Sequence, residues 1–218
     1  MVDPERVRTR SAIVGLLAVV VVSTSACDPL DTPSAVAPPA GDAAASVTTL
    51  DGLTVAGWAP MTGYSRDRFH HWDPQGAGCD TRDVVLKRDG LGVEVGANCA
   101  IAKGSWISAY DGATVTDPQS LDVDHMVPLA NAWRTGAASW SDDQREAFAN
   151  DLTRPQLLAV TATSNRSKGD QDPSEWKPPR RDYWCTYARD WITVKAYWKL
   201  SVTAAEKAAL ADMLGTCT

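Results

Sequence analysis

The octapeptide LDVDHMVP, residues 121–128, decides the fold around it. Residues 121–127 predict a β-strand, in which successive side chains point to opposite faces. Asp122 and Asp124 would then share one face, and His125 would lie on the other. Pro128 would end the strand and allow a helix to begin. Asp124 and His125 can serve a single site only if the strand end twists or bulges there.

A second strand and a short helix follow later in the chain. The apolar run Leu157–Val160 predicts a buried strand, and Ser164–Lys168 predict a short helix that ends at Gly169. Between the strands, Leu129–Trp140 has helical spacing of apolar residues, and Ser141 opens a further helix with a capping box. The remaining predicted elements are a short helix after Asp80 or Thr81 that ends near Gly90, a hairpin of residues 104–107 and 113–115 that turns at Asp111-Gly112, and helices at Tyr183–Lys199 and Thr203–Leu214. The predicted fold class is α+β.

The N-terminal sequence predicts export. Three arginines precede an apolar run at residues 12–22, which is typical of a signal peptide and too short for a transmembrane helix. Cys27 follows small residues as in a lipobox, although Thr24 stands where leucine is usual, so lipidation of Cys27 and simple secretion both stay open. We predict a signal peptide at 1–27, a disordered Ala/Pro-rich tether at 28–55 and one domain at 56–218.

The domain contains four cysteines, Cys79, Cys99, Cys185 and Cys217. An even number in an exported protein predicts two disulfides. Three pairings are possible; shorter loops favour Cys79 with Cys99 and Cys185 with Cys217, but loop length alone does not decide. A zinc site is the alternative, which the lack of a Cys-x-x-Cys pair disfavours.

The charge of the domain argues against a large nucleic-acid-binding surface. Residues 56–218 contain 18 basic and 21 acidic side chains, whereas nucleic-acid binders usually carry a basic excess. An enzyme that cleaves phosphodiesters needs only a local basic cleft.

Five short motifs carry a resemblance to a known family. They are Asp-His-x-Val-Pro-Leu (124–129), Ala-x-Ala-Trp (130–133), Phe-Ala-Asn-Asp (148–151), Asn-x-x-Lys-Gly-Asp (165–170) and Trp-x-Pro-Pro (176–179). Together they resemble an exported bacterial HNH endonuclease family related to the C-terminal domain of GmrSD-type restriction enzymes. The resemblance implies a ββα-metal (His-Me finger) core that hydrolyses phosphodiester bonds.

The resemblance also implies roles for individual residues. Asp124 and Asn165 would be the metal ligands and His125 the general base. Oxygen ligands suit Mg²⁺, with Mn²⁺ as a possible substitute. Arg166 and Lys168 are candidates to hold phosphate.

The middle residue of the HNH motif departs from the family pattern. The family has an asparagine about nine residues before the last motif residue, and here that position is Gln156. Asn150 is the nearest alternative. Either amide would brace the loop and orient His125.

Other histidines and tryptophans have plainer interpretations. His70 and His71 could form a second metal site, but neighbouring side chains diverge, so we expect a surface pair. Trp133 and Trp140 are expected to pack in the core.

The sequence therefore predicts a monomeric, metal-dependent endonuclease, with DNA as a more probable substrate than RNA. Two other functions stay open: a cell-surface nucleic-acid-binding module without turnover, and an envelope hydrolase of another class.

Overall fold

The computed structural model describes residues 40–218. The predicted signal peptide, Cys27 and the first part of the tether lie outside the described residues. The helices are α1 (Ala40–Gly52), α2 (Thr81–Asp89), α3 (Leu129–Arg134), α4 (Asp142–Ala149), α5 (Ala162–Lys168), α6 (Trp184–Tyr197) and α7 (Ala204–Leu214). The strands are β1 (Pro74–Gly76), β2 (Cys79–Asp80), β3 (Leu91–Val95), β4 (Ile101–Ile107), β5 (Thr114–Val115), β6 (Leu121–His125) and β7 (Leu157–Thr161).

The antiparallel pair of β6 and β7 holds the octapeptide. Its register runs without a shift from Leu121 opposite Thr161 to His125 opposite Leu157. The strand therefore has no bulge between these residues, and His125 occupies the last pair, where the chain leaves the ladder. Helix α5 follows β7 at once and packs against both strands. This confirms the predicted order of strand, strand and short helix.

Local capping explains where the helices of the insertion between β6 and β7 begin and end. Helix α3 starts directly after Pro128, and Gly136, at φ 149°, separates it from the short 3-10 turn Ala137–Ser139. The predicted helix Leu129–Trp140 is therefore shorter, because the backbone at Gly136 is one that only glycine adopts readily. Ser141 and Gln144 form the predicted capping box of α4.

Helix α5 is fastened to the hairpin that precedes β6. Thr161 caps α5, and its hydroxyl donates a hydrogen bond to Asp111 Oδ2. Ser164 Oγ donates to the same carboxylate oxygen at 2.7 Å. Asp111 lies in the predicted turn between β4 and β5, which pair antiparallel. The turn therefore fixes the position of the helix that carries Asn165.

Both favoured disulfides are present: Cys79 bonds to Cys99, and Cys185 bonds to Cys217. The first joins β2 to the segment before β4, and the second joins the start of α6 to the C-terminal end. The pairing with the shorter loops is thus confirmed, and the cysteines do not form a zinc site.

Helix α1 differs from the disordered tether predicted for residues 28–55. Leu50 is 2% exposed and belongs to the main hydrophobic cluster. The helix packs on α6 and α7, and the chain after it pairs with Val202 through hydrogen bonds to Thr54 O and from Ala56 N. The alanine-rich sequence has high helix propensity, and one buried leucine with backbone pairing supplies the anchor.

The strands β1, β2 and β3 were not predicted. β1 and β2 have only three and two residues. β3 is largely exposed, although its apolar residues Leu91, Val93 and Val95 alternate and were a usable signal. Trp133 is buried and meets Tyr64 and Phe69 edge-on, while Trp140 packs on Phe148 and Trp198.

Within residues 40–218, none of the helices combines the length and apolar character needed to cross a membrane.

Candidate active site

A cavity of about 170 Å³ lies where β6 ends beside α5. Its walls include four of the predicted site residues: Asp124, His125, Asn165 and Arg166. The remaining lining residues are Arg66, Val123, Pro128, Leu129, Gly169 and Asp170. The predicted metal ligands and the predicted base therefore meet at one cavity, although the alternation of a strand places Asp124 and His125 on opposite faces. The register of β6 and β7 is regular through His125, so no bulge brings the two side chains together.

Asp124 is held by two donors at the same oxygen. Its Oδ2 accepts a hydrogen bond from Tyr110 Oη at 2.5 Å and another from Lys168 Nζ at 2.5 Å. Burial raises the pKa of Tyr110 well above its usual value, so the phenol stays protonated and donates. Both hydrogen bonds go to Oδ2, and neither donor engages Oδ1.

Lys168 lies beneath the cavity and does not line it. Its side chain is fully buried, and Nζ also donates to His125 O at 2.8 Å. Burial lowers the pKa of Lys168, while the Asp124 carboxylate opposes this shift. The side chain turns inward, where its ammonium lies near the rings of Tyr110 and Trp191 and forms an ion pair with Asp124. The prediction that Lys168 holds phosphate is therefore wrong.

The His125 ring is fixed by the backbone of α4. Its Nε2 lies 2.9 Å from Ala149 O, and because a carbonyl oxygen only accepts, Nε2 carries a proton and donates it. Burial lowers the pKa of His125 from 6.5 to about 3, so the ring is neutral at ordinary pH and Nδ1 carries a lone pair. Trp72 stacks on this ring at 5.7 Å and His71 meets it edge-on at 5.9 Å.

Gln156 braces the loop after His125 but does not contact the histidine ring. It is fully buried, its Oε1 accepts from Val127 N at 3.1 Å, and its Nε2 donates to Val127 O at 3.0 Å. The amide thus mimics a backbone partner and continues the ladder beyond β6.

Asn150, the alternative amide, acts at the end of α4. Its Nδ2 donates to Glu146 O and His70 O, and its Oδ1 accepts from Asp73 N. Asn150 therefore fixes the turn that presents the carbonyl of Ala149 to His125. The predicted orientation of the histidine by an amide side chain is wrong for both amides, because the orienting acceptor is a backbone carbonyl.

Asn165 and Arg166 meet at the carboxylate of Asp122. Asn165 Nδ2 donates to Asp122 Oδ2 at 3.1 Å, which orients the amide and leaves its Oδ1 as an acceptor. Arg166 Nε lies 3.7 Å from the same oxygen, and the Arg166 side chain is 77% exposed. Arg166 is thus placed for a solvent-borne anion, unlike Lys168.

Sequence reasoning missed three residues of this site. Arg66 and Asp170 line the cavity, and Tyr110 holds Asp124. Asp170 ends the quoted Asn-x-x-Lys-Gly-Asp motif, which was a usable signal. No sequence pattern connects Arg66 or Tyr110 to the octapeptide.

The donors around the cavity fit a hard divalent cation. The carboxylate of Asp124 and the amide oxygen of Asn165 are oxygen ligands, with Asp170 also in the wall. Magnesium and manganese prefer such oxygens and complete their shells with water.

Comparison with known proteins identifies the family of the chain. The family model of the C-terminal domain of GmrSD restriction endonucleases matches residues 92–213, which include every residue that lines the cavity except Arg66. The chain belongs to this family. Membership indicates a nuclease-type enzyme that acts on nucleic acid.

One curated relative extends the comparison beyond bacteria. An uncharacterized secreted protein of Arthroderma benhamiae is 53% identical over 202 residues, which cover 93% of this chain and 96% of that protein. Because this relative is fungal, the bacterial origin expected from the resemblance is not shown. No solved structure matches the chain.

Replacement of Lys168 by methionine should lower the free energy of unfolding by about 3–5 kcal/mol, since it leaves the buried Asp124 carboxylate without its cation. Arg166→Met is the matched control and should change it by less than about 0.5 kcal/mol, because that side chain is exposed. Urea unfolding measures both. Equal effects of the two substitutions would show that Lys168 faces solvent after all.

The depressed pKa of His125 predicts a loss of stability in acid. The unfolded chain binds a proton at His125 below pH 6.5, whereas the folded chain does so only near pH 3. The stabilisation is therefore complete above pH 6.5 and falls by about 1.4 kcal/mol per pH unit between 6.5 and 3. The difference in unfolding free energy between the protein and His125→Asn, measured with chelator present, should shrink over this window. A difference that is constant with pH would contradict the buried neutral ring.

Proposed function

We propose that the protein is a metal-dependent endonuclease that hydrolyses phosphodiester bonds of DNA outside the cytoplasmic membrane. One observation carries the proposal: a neutral histidine, fixed through Nε2, lies beside a carboxylate and an amide at a single cavity. Membership of the GmrSD C-terminal domain family supports the class of reaction. The unit of β6, β7 and α5 is the ββα-metal core in this proposal.

His125 is the general base. Its Nδ1 accepts a proton from the attacking water while Nε2 keeps its proton and its bond to Ala149 O. The ring then becomes an imidazolium ion, and the water oxygen forms the new bond to phosphorus as the bond to the leaving oxygen breaks. The leaving oxygen takes up a proton from solvent. His125 then releases the proton on Nδ1 to solvent and returns to its neutral form.

Asp124 Oδ1 and Asn165 Oδ1 would hold the cation, which we propose to be Mg²⁺, with Mn²⁺ as a substitute. When bound, such an ion stabilises negative charge on the phosphate and on the leaving oxygen. Lys168 and Tyr110 serve this function indirectly, because they fix Asp124 Oδ2 and so leave Oδ1 for the ion.

Arg66 and Arg166 are the proposed phosphate contacts. Both line the cavity, and Arg66 also lines an adjoining groove with Trp72 and Asn165. Two arginines at one cavity supply the local positive charge that the acidic domain lacks as a whole. We propose that they position the backbone of the substrate, a role that carries no sequence preference.

Export fits this function. Two disulfides are typical of proteins outside the cytoplasm, and the relative from Arthroderma benhamiae is described as secreted. We propose that the enzyme acts as a monomer at the cell exterior, either secreted or held by a lipid on Cys27.

Plasmid cleavage tests the proposal. Purified protein with both disulfides formed should nick supercoiled DNA in Mg²⁺ or Mn²⁺ and stop in chelator. His125→Ala should lower the rate about 100-fold or more, the usual contribution of a general base. Asp143→Asn, an exposed position on α4, is the control and should leave the rate unchanged.

Two results would contradict the proposal. Cleavage that persists unchanged in chelator would contradict the metal dependence, and unchanged cleavage by His125→Ala would contradict the role of His125 as general base. Tight binding of DNA without any cleavage in either metal would favour a binding module instead.

A further inference from the structure

A second group of side chains that could bind a metal lies outside the active-site cavity. His70, Asp73 and Glu146 each offer a ligand atom, and these three atoms all lie within 4.8 Å of one another. His70 Nδ1 is 2.8 Å from Asp73 Oδ1 and 3.9 Å from Glu146 Oε1. The expectation of a surface position holds for His70, whose side chain is 69% exposed. His71 is half-buried instead, and its ring packs edge-on against that of His125.

The three residues are fixed relative to one another by Asn150. Its side chain accepts from the backbone N–H of Asp73 at 3.0 Å and donates to the carbonyls of His70 and Glu146, both at 2.9 Å. One amide therefore ties together the backbones of all three ligand residues. Asp73 is fixed further, because its carbonyl accepts from Thr81 N at 3.0 Å.

The charges of the group favour a cation. Asp73 and Glu146 direct their ion pairs to the same imidazole, so two negative charges share at most one positive charge. A divalent ion that replaces the proton on Nδ1 would balance both carboxylates. The His70 side chain is 69% exposed, which gives an ion access from solvent.

We propose that His70, Asp73 and Glu146 form a binding site for a divalent transition-metal ion, zinc by preference. One imidazole nitrogen and two carboxylate oxygens are ligand types that zinc accepts, and water would complete the tetrahedron. Ligand atoms in such a shell are about 3.3 Å apart, so a gap of up to 4.8 Å would have to close by about 1.5 Å, and the 2.8 Å contact of His70 with Asp73 would have to widen by about 0.5 Å. Side-chain rotation would supply these shifts without movement of the backbone that Asn150 holds.

The ion would join the segment before β1 to the C-terminal turn of α4. The next two residues, His71 and Trp72, pack against His125, and the residue before Asn150 supplies the carbonyl that binds His125 Nε2. The site is thus separate from the active-site cavity but stiffens both supports of the histidine ring. It does not depend on the proposed function, because the binding itself can be measured without any substrate.

Titration with Zn²⁺ alone tests the proposal. Isothermal calorimetry on the purified protein, in excess Mg²⁺ to occupy the oxygen site, should give one zinc per chain. Glu146→Gln and His70→Gln should each weaken Zn²⁺ binding 10-fold or more. Asp143→Asn removes the same charge from the same helix without touching the group and should bind zinc as the unaltered protein does.

A second variant separates this site from the active-site cavity. Asp124→Asn should keep its zinc, and Co²⁺ bound to it should give the visible absorption of a low-coordinate site with a nitrogen ligand, which His70→Gln abolishes. Zn²⁺ should also raise the unfolding midpoint of the protein and of Asp143→Asn, but not that of Glu146→Gln. Zinc binding that is lost in Asp124→Asn and kept in His70→Gln and Glu146→Gln would overturn the proposal, and so would the absence of binding at 1 mM Zn²⁺.

Discussion

The buried ion pair between Lys168 and Asp124 is the constraint on which the arrangement of the site depends. A lysine with no exposed surface is stable only against a partner with good geometry. Its partner stands near the end of β6, and its own backbone lies in the last turn of α5. The pair therefore fixes the position of α5 on β6 and the rotation of α5 about its own axis. Lys168 also donates a hydrogen bond to the carbonyl of His125. The same ammonium group therefore helps to position both Asp124 and His125.

The consequence of this pair is an asymmetry in the Asp124 carboxylate. Lys168 and Tyr110 both bind one oxygen, and the other oxygen is the proposed metal ligand. His125 shows a parallel asymmetry, since one ring nitrogen is bound by a carbonyl and the other is left with a lone pair. In each of these two side chains, one polar atom is held by the fold and the other is the one to which the proposed function assigns a role. The insertion between β6 and β7 supplies the structural partner of the histidine, because α4 ends with Ala149 pointing its carbonyl at the ring.

Much of the core could be predicted from the sequence because its signals are local. The strand pair, the short helix ended by Gly169 and the capping box of α4 each depend on residues a few positions apart. Loop length favoured the observed disulfide pairing without deciding it. Asp124, His125 and Asn165 could be located from their motifs, and all three line the cavity.

What the sequence did not reveal depends on distant contacts or on backbone atoms. Lys168 was read as a phosphate contact because its place one turn after Asn165 does not show whether the side chain turns inward. The acceptor for His125 is a carbonyl, which no side-chain motif encodes. Tyr110 and Arg66 reach the site from separate segments, and α1 is held by the burial of one leucine and a bridge to Val202.

The most direct measurement is a crystal structure of the protein soaked in Mn²⁺, with the ion located by its anomalous scattering. The account predicts an ion in the cavity that is bound by Asp124 Oδ1 and Asn165 Oδ1, while Asp124 Oδ2 keeps its bonds to Lys168 and Tyr110 and His125 stays bound to Ala149 O. An ion ligated by the His125 ring, or a Lys168 that swings out of the core to release Asp124, would contradict it.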